Sequence, residues 1–213
     1  IQKMMHETPE LDAFFLDDAL QHFRLNPSFK IALTTFQKPW FSDCLLPVGN
    51  LREPSTAANK VDVVVVTKCP SNIDEITKNE YRSKLGILPY QQLYFSTLVY
   101  DNVVNGPENK ALDQFLETPF VLLTGIADPS PMLHYLNEKG AKFSHKKFAD
   151  HHNFSDNEIE KIRKLKRPIL TTEKDAVRLK SYNLDQLYTL GIKVKFLDDA
   201  TQFIAAVSNA ITP

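Results

Sequence analysis

Val63-Val64-Val65-Val66-Thr67 decides how this chain reads. Every residue in it is β-branched, which stiffens the side chain and favours extended backbone. The run has no polar alternation, so it predicts a strand buried on both faces, the mark of a parallel sheet covered by helices. Working outward, Phe120–Thr124 is a second such run, closing at Gly125, and Ile31–Phe36 a third apolar run. Gln92–Val99, Lys142–Phe148, Ile169–Thr172 and Lys193–Leu197 read as further strands. Between them lie helical stretches at Asn72–Leu85 (stopped by Gly86), Lys110–Phe115, Pro131–Glu138 (closed by Gly140) and Asp156–Lys166, with Thr201–Ala210 last. Strand and helix alternating in this way predict an α/β fold: a mostly parallel sheet with helices on both faces.

The amino-terminal part is less regular. Gln2–His6 reads as the tail of a helix broken at Thr8-Pro9. Ala13-Phe14-Phe15-Leu16 then runs into Asp17-Asp18, which predicts a buried parallel strand with two acids at its carboxyl end. Ligands sit at that end in open α/β sheets, and an acid there can hold Mg²⁺ directly or through water. The competing reading is a solvated acidic turn. Gln21 and His22 add polar groups to the same rim. Gln37–Pro54 is irregular, punctuated by Pro39, Pro47, Gly49 and Pro54, and that length without periodicity marks a functional or connecting loop. A boundary is expected there, between residues 1–36 and 37–213.

Composition narrows the classes. The chain has 213 residues, 43% of them hydrophobic, enough for one large or two small domains. A net charge of −1 argues against nucleic-acid binding, which needs a strongly basic face. Cys44 and Cys69 form no C-x-x-C, so neither a disulfide framework nor a cysteine metal site is indicated. No run of 18 apolar residues occurs. The first residue is Ile1, so the sequence is expected to begin inside a longer protein or to have been processed.

None of the six glycines opens a G-x-x-x-x-G-K-[ST] loop, so these residues contain no P-loop. Arg52-Glu53 ends the irregular segment: an Arg fork suits phosphate and a Glu suits a metal, against the plainer reading of a surface ion pair. Thr124-Gly125-Ile126-Ala127-Asp128-Pro129 follows a strand, and glycine there lets a ligand or another backbone approach. Asp150-His151-His152 follows another strand. Adjacent histidines point apart and chelate poorly, so one His oriented by a carboxylate is the better use. Ser155-x-x-Glu158 is a capping box. The acidic start and basic end of its helix complement the helix dipole; the basic end could also meet anionic lipid headgroups. Thr171-Thr172-Glu173-Lys174-Asp175 puts hydroxyls and charges at a strand end, as a rim site would.

Taken in order, Asp17-Asp18-Ala19-Leu20-Gln21-His22, Leu46-Pro47-x-Gly49-Asn50-Leu51-Arg52-Glu53, Val66-Thr67-Lys68, Leu123-Thr124-Gly125-Ile126-Ala127-x-Pro129, Phe148-x-Asp150-His151-His152-x-Phe154 and Leu170-Thr171-Thr172-Glu173-Lys174-Asp175-Ala176-Val177 resemble the tetraacyldisaccharide 4′-kinases. The six motifs cover nearly the whole chain; Ala19 stands where many relatives carry Gly. The resemblance implies transfer of the ATP γ-phosphate, with Mg²⁺, to the 4′-hydroxyl of a lipid A disaccharide precursor. It places that reaction at the cytoplasmic face of the Gram-negative inner membrane, with peripheral membrane association of the full-length protein. It implies a P-loop NTPase core lobe, of which residues 1–36 are a remnant, and a Rossmann-like C-terminal lobe, the last helix returning to the first lobe. Asp17 and Asp18 would then be Walker B acids organising Mg²⁺, with Glu53 near the metal and Gln21, His22 and Arg52 lining the nucleotide cleft. His151, beside Asp150, would pair with an aspartate upstream of these residues to take the sugar hydroxyl proton. The family's P-loop, that aspartate and the membrane-binding helix are absent from the 213 residues, which are expected to be inactive alone. The rival classes are a non-catalytic α/β binding module and a metal-dependent hydrolase using Asp17, Asp18, His151 and His152.

Overall fold

The computed structural model describes residues 7, 8, 10–22 and 24–211. The helix tail expected at Gln2–His6 lies outside them. In chain order the main elements are β1 (Ile31–Thr35), β2 (Val63–Thr67), α1 (Glu75–Lys84), β3 (Gln92–Asn105), β4 (Lys110–Ala111) and α2 (Leu112–Leu116). They continue with β5 (Phe120–Thr124), α3 (Ser130–Glu138), β6 (Phe143–Lys147), α4 (Asp156–Arg163), β7 (Ile169–Thr172), α5 (Glu173–Leu179), β8 (Leu187–Phe196) and α6 (Ala200–Ile211). Two compact units result: residues 1–98 with 194–213, and residues 99–193.

In the first unit β1, β2 and β3 pair in parallel, Ile31 opposite Val63 and Val63 opposite Gln92. The uniform valine run of β2 works as its composition demands. Val64 and Val66 pack with Leu85, Phe95 and the α1 residue Tyr81, while Val63 and Val65 pack with Tyr94, Phe196 and the α6 residue Phe203. Both faces of the strand are therefore covered, each by a helix. The long loop expected to separate two lobes instead joins β1 to β2 inside this unit.

The second unit repeats the logic. Its strands run in parallel in the order β8-β7-β5-β6, and β3 forms an antiparallel hairpin with β4. Successive side chains of a strand point to opposite faces. Phe120, Leu122 and Leu170 accordingly join α2 and α3 through Leu112, Phe115, Met132 and Leu136. Leu123 and Ile169 join α4 and α5 through Ile159, Ile162 and Leu179. The α/β class, parallel pairing and helices on both faces agree with the sequence reading.

One strand does not form. Residues 11–16 have no regular structure, and Phe15 is 82% exposed. Phe14–Leu16 carries the composition of a buried strand, but a strand needs a ladder partner, and among the described residues none pairs with it. Asp17 and Asp18 consequently lie in a turn, Asp18 with φ of +49°, not at the end of a sheet strand.

Candidate functional site

In the first unit the Asp17-Asp18 turn meets the β1–β2 loop. Arg52 Nη2 donates to Asp18 Oδ1 at 2.6 Å, and Gln21 Nε2 donates to the same oxygen at 3.0 Å. The Arg52 hydrogen bond holds the Asp18 carboxyl below the usual carboxylate range and raises the Arg52 guanidinium in return. Arg52 is delivered by a folded loop. Asp43 Oδ1 accepts from the backbone N–H groups of Cys44 and Asn50, and Asp43 Oδ2 accepts from the Asn50 side chain. The loop closes so tightly that a Cβ on Gly49 would lie 2.2 Å from the Cys44 carbonyl oxygen, which explains glycine in that motif. Leu20, Gln21, His22, Arg52, Glu53 and Trp40 help line a cavity of about 470 Å³. Four of the residues picked out from the sequence (Gln21, His22, Arg52 and Glu53) thus share one cavity, with Asp18 at its Arg52. Asp17 is exposed.

Among the described residues no three His, Cys, Asp or Glu side chains gather as a metal-holding group. Asp17, Asp18 and Glu53 are accordingly not gathered as a three-acid group. A Mg²⁺ carried with a nucleotide needs only one or two carboxylates beside phosphate oxygens and water. The neighbouring acids Asp17 and Asp18 fit that smaller requirement. Among the described residues, the two hydrogen bonds to the Asp18 carboxylate both fall on Oδ1.

The second unit gathers its charges where a parallel sheet should. Loops leaving the carboxyl ends of β5, β6 and β7 carry Gly125, Asp150-His151 and the start of α5, and these three strands are neighbours. Asp175 is the anchor. It is fully buried and accepts from the Gly125 backbone N–H at 2.9 Å and the Thr172 hydroxyl at 2.8 Å, and pairs with Arg178 Nη1 at 3.1 Å. A Cβ on Gly125 would stand 3.0 Å from Asp175 Oδ1, so the strand-end glycine serves close approach of this carboxylate. Arg178 Nη1 also donates to the Gly125 carbonyl.

His151 sits outside that anchor with φ of +57°. Its backbone N–H donates to Asp150 Oδ1, its Nδ1 lies 3.2 Å from Arg178 Nη2, and its Nε2 lies 3.3 Å from Lys174 Nζ. Lys174 also bonds Asp150 Oδ1 at 3.2 Å. Desolvation pushes the Asp150 carboxyl up, but the Lys174 hydrogen bond and nearby positive charge outweigh it, leaving the group below its ordinary value. His152 turns away, as adjacent residues must. It pairs with Glu158 at 3.1 Å and packs between Phe148 and Phe154. Sequence reasoning found Asp150 and His151 but did not single out Arg178. The available signal was Thr172-x-x-Asp175, a cap that fixes α5 and so sets Arg178 one turn further along.

Fold and charges together define an open α/β protein whose polar groups collect on loops, several at the carboxyl ends of parallel strands. The particular family follows from comparison. The sequence model described as LpxK, tetraacyldisaccharide-1-P 4′-kinase, matches residues 1–212, and this chain belongs to that family. It is 38% identical over 212 residues to the tetraacyldisaccharide 4′-kinase of Flavobacterium johnsoniae, covering 97% of this chain and 62% of that one. It is 36% identical over 211 residues to the tetraacyldisaccharide 4′-kinase of Bacteroides fragilis (strain ATCC 25285), covering 90% and 56% respectively. The chain thus spans about three fifths of the length of these relatives. A crystal structure of "apo" form LpxK from Aquifex aeolicus in complex with ATP shares the fold, with a TM-score of 0.70 at 22% identity over 97% of this chain and 61% of the other.

Proposed function

We propose that this chain is part of an ATP-dependent kinase that moves the γ-phosphate to the 4′-hydroxyl of a tetraacyldisaccharide 1-phosphate in lipid A biosynthesis. The observation that carries the reading is the family match along residues 1–212, with its motifs falling on two organised charge clusters. The reading extends to peripheral association with the cytoplasmic face of the inner membrane, where such an acceptor lies. No helix of the described residues is long and apolar enough to cross a membrane.

The residues divide the work as follows. Asp17 and Asp18 would hold Mg²⁺, whose chemistry is to neutralise charge on the transferring phosphoryl group. Arg52, already fixed against Asp18, presents a planar fork to phosphate. Gln21, His22 and Glu53 border the same cavity and orient what enters it. Asp150 fixes the backbone of His151, and the imidazole takes part in removing the hydroxyl proton with an aspartate that these residues do not supply. Phosphoryl transfer depends mainly on positioning and charge stabilisation, so a phosphate-cradling loop contributed from outside these residues is required.

The test is product analysis with the complete kinase: incubation with γ-labelled ATP and a tetraacyldisaccharide 1-phosphate acceptor, then location of the label. Label on the 4′-hydroxyl is expected. Active, folded enzyme that labels another position, or labels nothing while hydrolysing the acyl or glycosidic bonds, contradicts the reading.

A further inference from the structure

The surroundings of His151 contain a mismatch of donors and acceptors. Lys174 Nζ lies 3.3 Å from its Nε2 and Arg178 Nη2 lies 3.2 Å from its Nδ1. Lysine and arginine only donate. A neutral imidazole accepts at one nitrogen and carries a proton on the other; an imidazolium accepts at neither. In every protonation state of His151, at least one cationic N–H faces a ring nitrogen that cannot accept it. The nearby carboxylates do not resolve this. Asp175 is fully buried and spent on Gly125, Thr172 and the Nη1 side of Arg178. Asp150 Oδ1 is shared between Lys174 and the His151 backbone, and Asp150 Oδ2 stands 3.7 Å from His151 Nε2, beyond hydrogen-bond reach.

What remains outward is a set of donors with fixed origins. Arg178 is pinned through Nη1 to the Gly125 carbonyl and Asp175, so its Nη2 edge is held beside His151. Lys174 comes from the first turn of the same short helix and is tied to Asp150. The His151 side chain is 72% exposed and that of Lys174 48%, so a ligand can reach both. The geometry points to a receptor for one phosphate monoester, its oxygens accepting from Arg178 Nη2, Lys174 Nζ and a His151 ring N–H. A tetrahedral oxyanion offers several acceptors to splayed donors and takes charge-assisted bonds from both cations, which a ring nitrogen cannot. This assignment rests on the kinase reading for the source of the phosphate, the terminal phosphate of the nucleotide, because the anomeric phosphate of the acceptor lies at the opposite end of the disaccharide from the 4′-hydroxyl that His151 serves. Lys174, which its motif names without a role, and Arg178, which lies outside the motifs, become phosphate-positioning residues.

The experiment uses the complete kinase and inorganic phosphate as probe. Its inhibition constant is measured with ATP and acceptor varied separately, for wild type, Lys174→Met and Lys174→Arg. Lys174→Met should weaken phosphate inhibition roughly 10–100-fold, the usual worth of one hydrogen bond to a charged group. Lys174→Arg, which keeps the charge and the donors, should retain most of it. Inhibition competitive with ATP supports the receptor with the nucleotide as source; inhibition competitive with acceptor and not with ATP overturns that assignment. A parallel titration following the ¹⁵N resonances of the His151 ring needs no turnover. A phosphate-dependent shift that Lys174→Met abolishes supports the receptor even if the kinase reading fails. An active enzyme in which Lys174→Met leaves both the inhibition constant and the ring shift as in wild type overturns the receptor while leaving the kinase reading intact.

Discussion

Replacing Asp175 by Asn probes the anchor beneath the His151 cluster with almost no change of shape. Asp175 Oδ2 accepts from the Gly125 N–H at 2.9 Å and the Thr172 hydroxyl at 2.8 Å, while Oδ1 faces Arg178 Nη1 at 3.1 Å. An Asn can satisfy one side only. With its oxygen toward Gly125 and Thr172, its NH₂ confronts the Arg178 donor; turned over, it confronts the Gly125 N–H. Either way a buried ion pair is lost and donor faces donor. Removing one partner of a buried pair costs about 3–5 kcal/mol. The Arg178 side chain is 21% exposed, so water recovers part of that, and the expected loss is about 2–4 kcal/mol. Urea unfolding followed by far-ultraviolet circular dichroism measures it, provided the slope with denaturant is unchanged. Amide exchange should rise first at Gly125, whose N–H exchanges a carboxylate acceptor for at best a neutral amide oxygen. A destabilisation below about 1 kcal/mol, within the ordinary range of point changes, would refute the anchor argument.

Other consequences follow from neighbouring contacts. Glu158 is pulled down to about 2, first by the Ser155 backbone N–H, then by the Ser155 hydroxyl and His152. A depressed acid stabilises the fold fully above its unfolded value near 4.5 and loses that contribution as pH falls toward 2, so Glu158→Gln should flatten the stability profile across that window in acid titrations. Gly125→Ala places a methyl 3.0 Å from Asp175 Oδ1 and 3.4 Å from the Ala149 carbonyl oxygen, and should lower stability by about 1–3 kcal/mol in the same urea assay. The 213-residue polypeptide, which has no P-loop sequence, should transfer no phosphate from ATP to the acceptor in a direct turnover assay.

The sheet was legible where composition leaves little choice. Val63–Thr67 and Phe120–Thr124 have no polar face to turn to water, so burial on both sides was forced. Ser155-x-x-Glu158 announced α4 because the capping box is a local interaction, and both of its hydrogen bonds form. Failures came where local pattern and long-range pairing part company. Phe14–Leu16 looks like a buried strand, yet strand formation depends on a neighbour that its own residues cannot specify. The sequence marks β8 only from Lys193, because Gly191 interrupts the run Leu187–Leu190. In the fold that glycine stays in the strand, since a Cβ there would stand 2.4 Å from Asp101 Oδ2. α5 leaves no periodic signal in the sequence because it has only seven residues; its start is fixed by Thr172. In the sites, Asp18–Arg52 and Arg178–His151 join residues 34 and 27 positions apart. Motifs named three of these four residues, but only the fold shows which of them touch.

The most direct test of the central claim is the steady-state rate of γ-phosphate transfer to the 4′-hydroxyl by the complete kinase carrying His151→Ala, alone and combined with substitution of the aspartate proposed to act with it from outside these residues. A proton-transfer group contributes roughly 10²–10⁴-fold, so kcat should fall by that factor while KM for the acceptor changes little. The double variant should be scarcely slower than the worse single variant, because two residues acting as one unit are not additive. A kcat for His151→Ala close to that of wild type, or losses that simply multiply, would contradict the assignment of His151 to the chemistry.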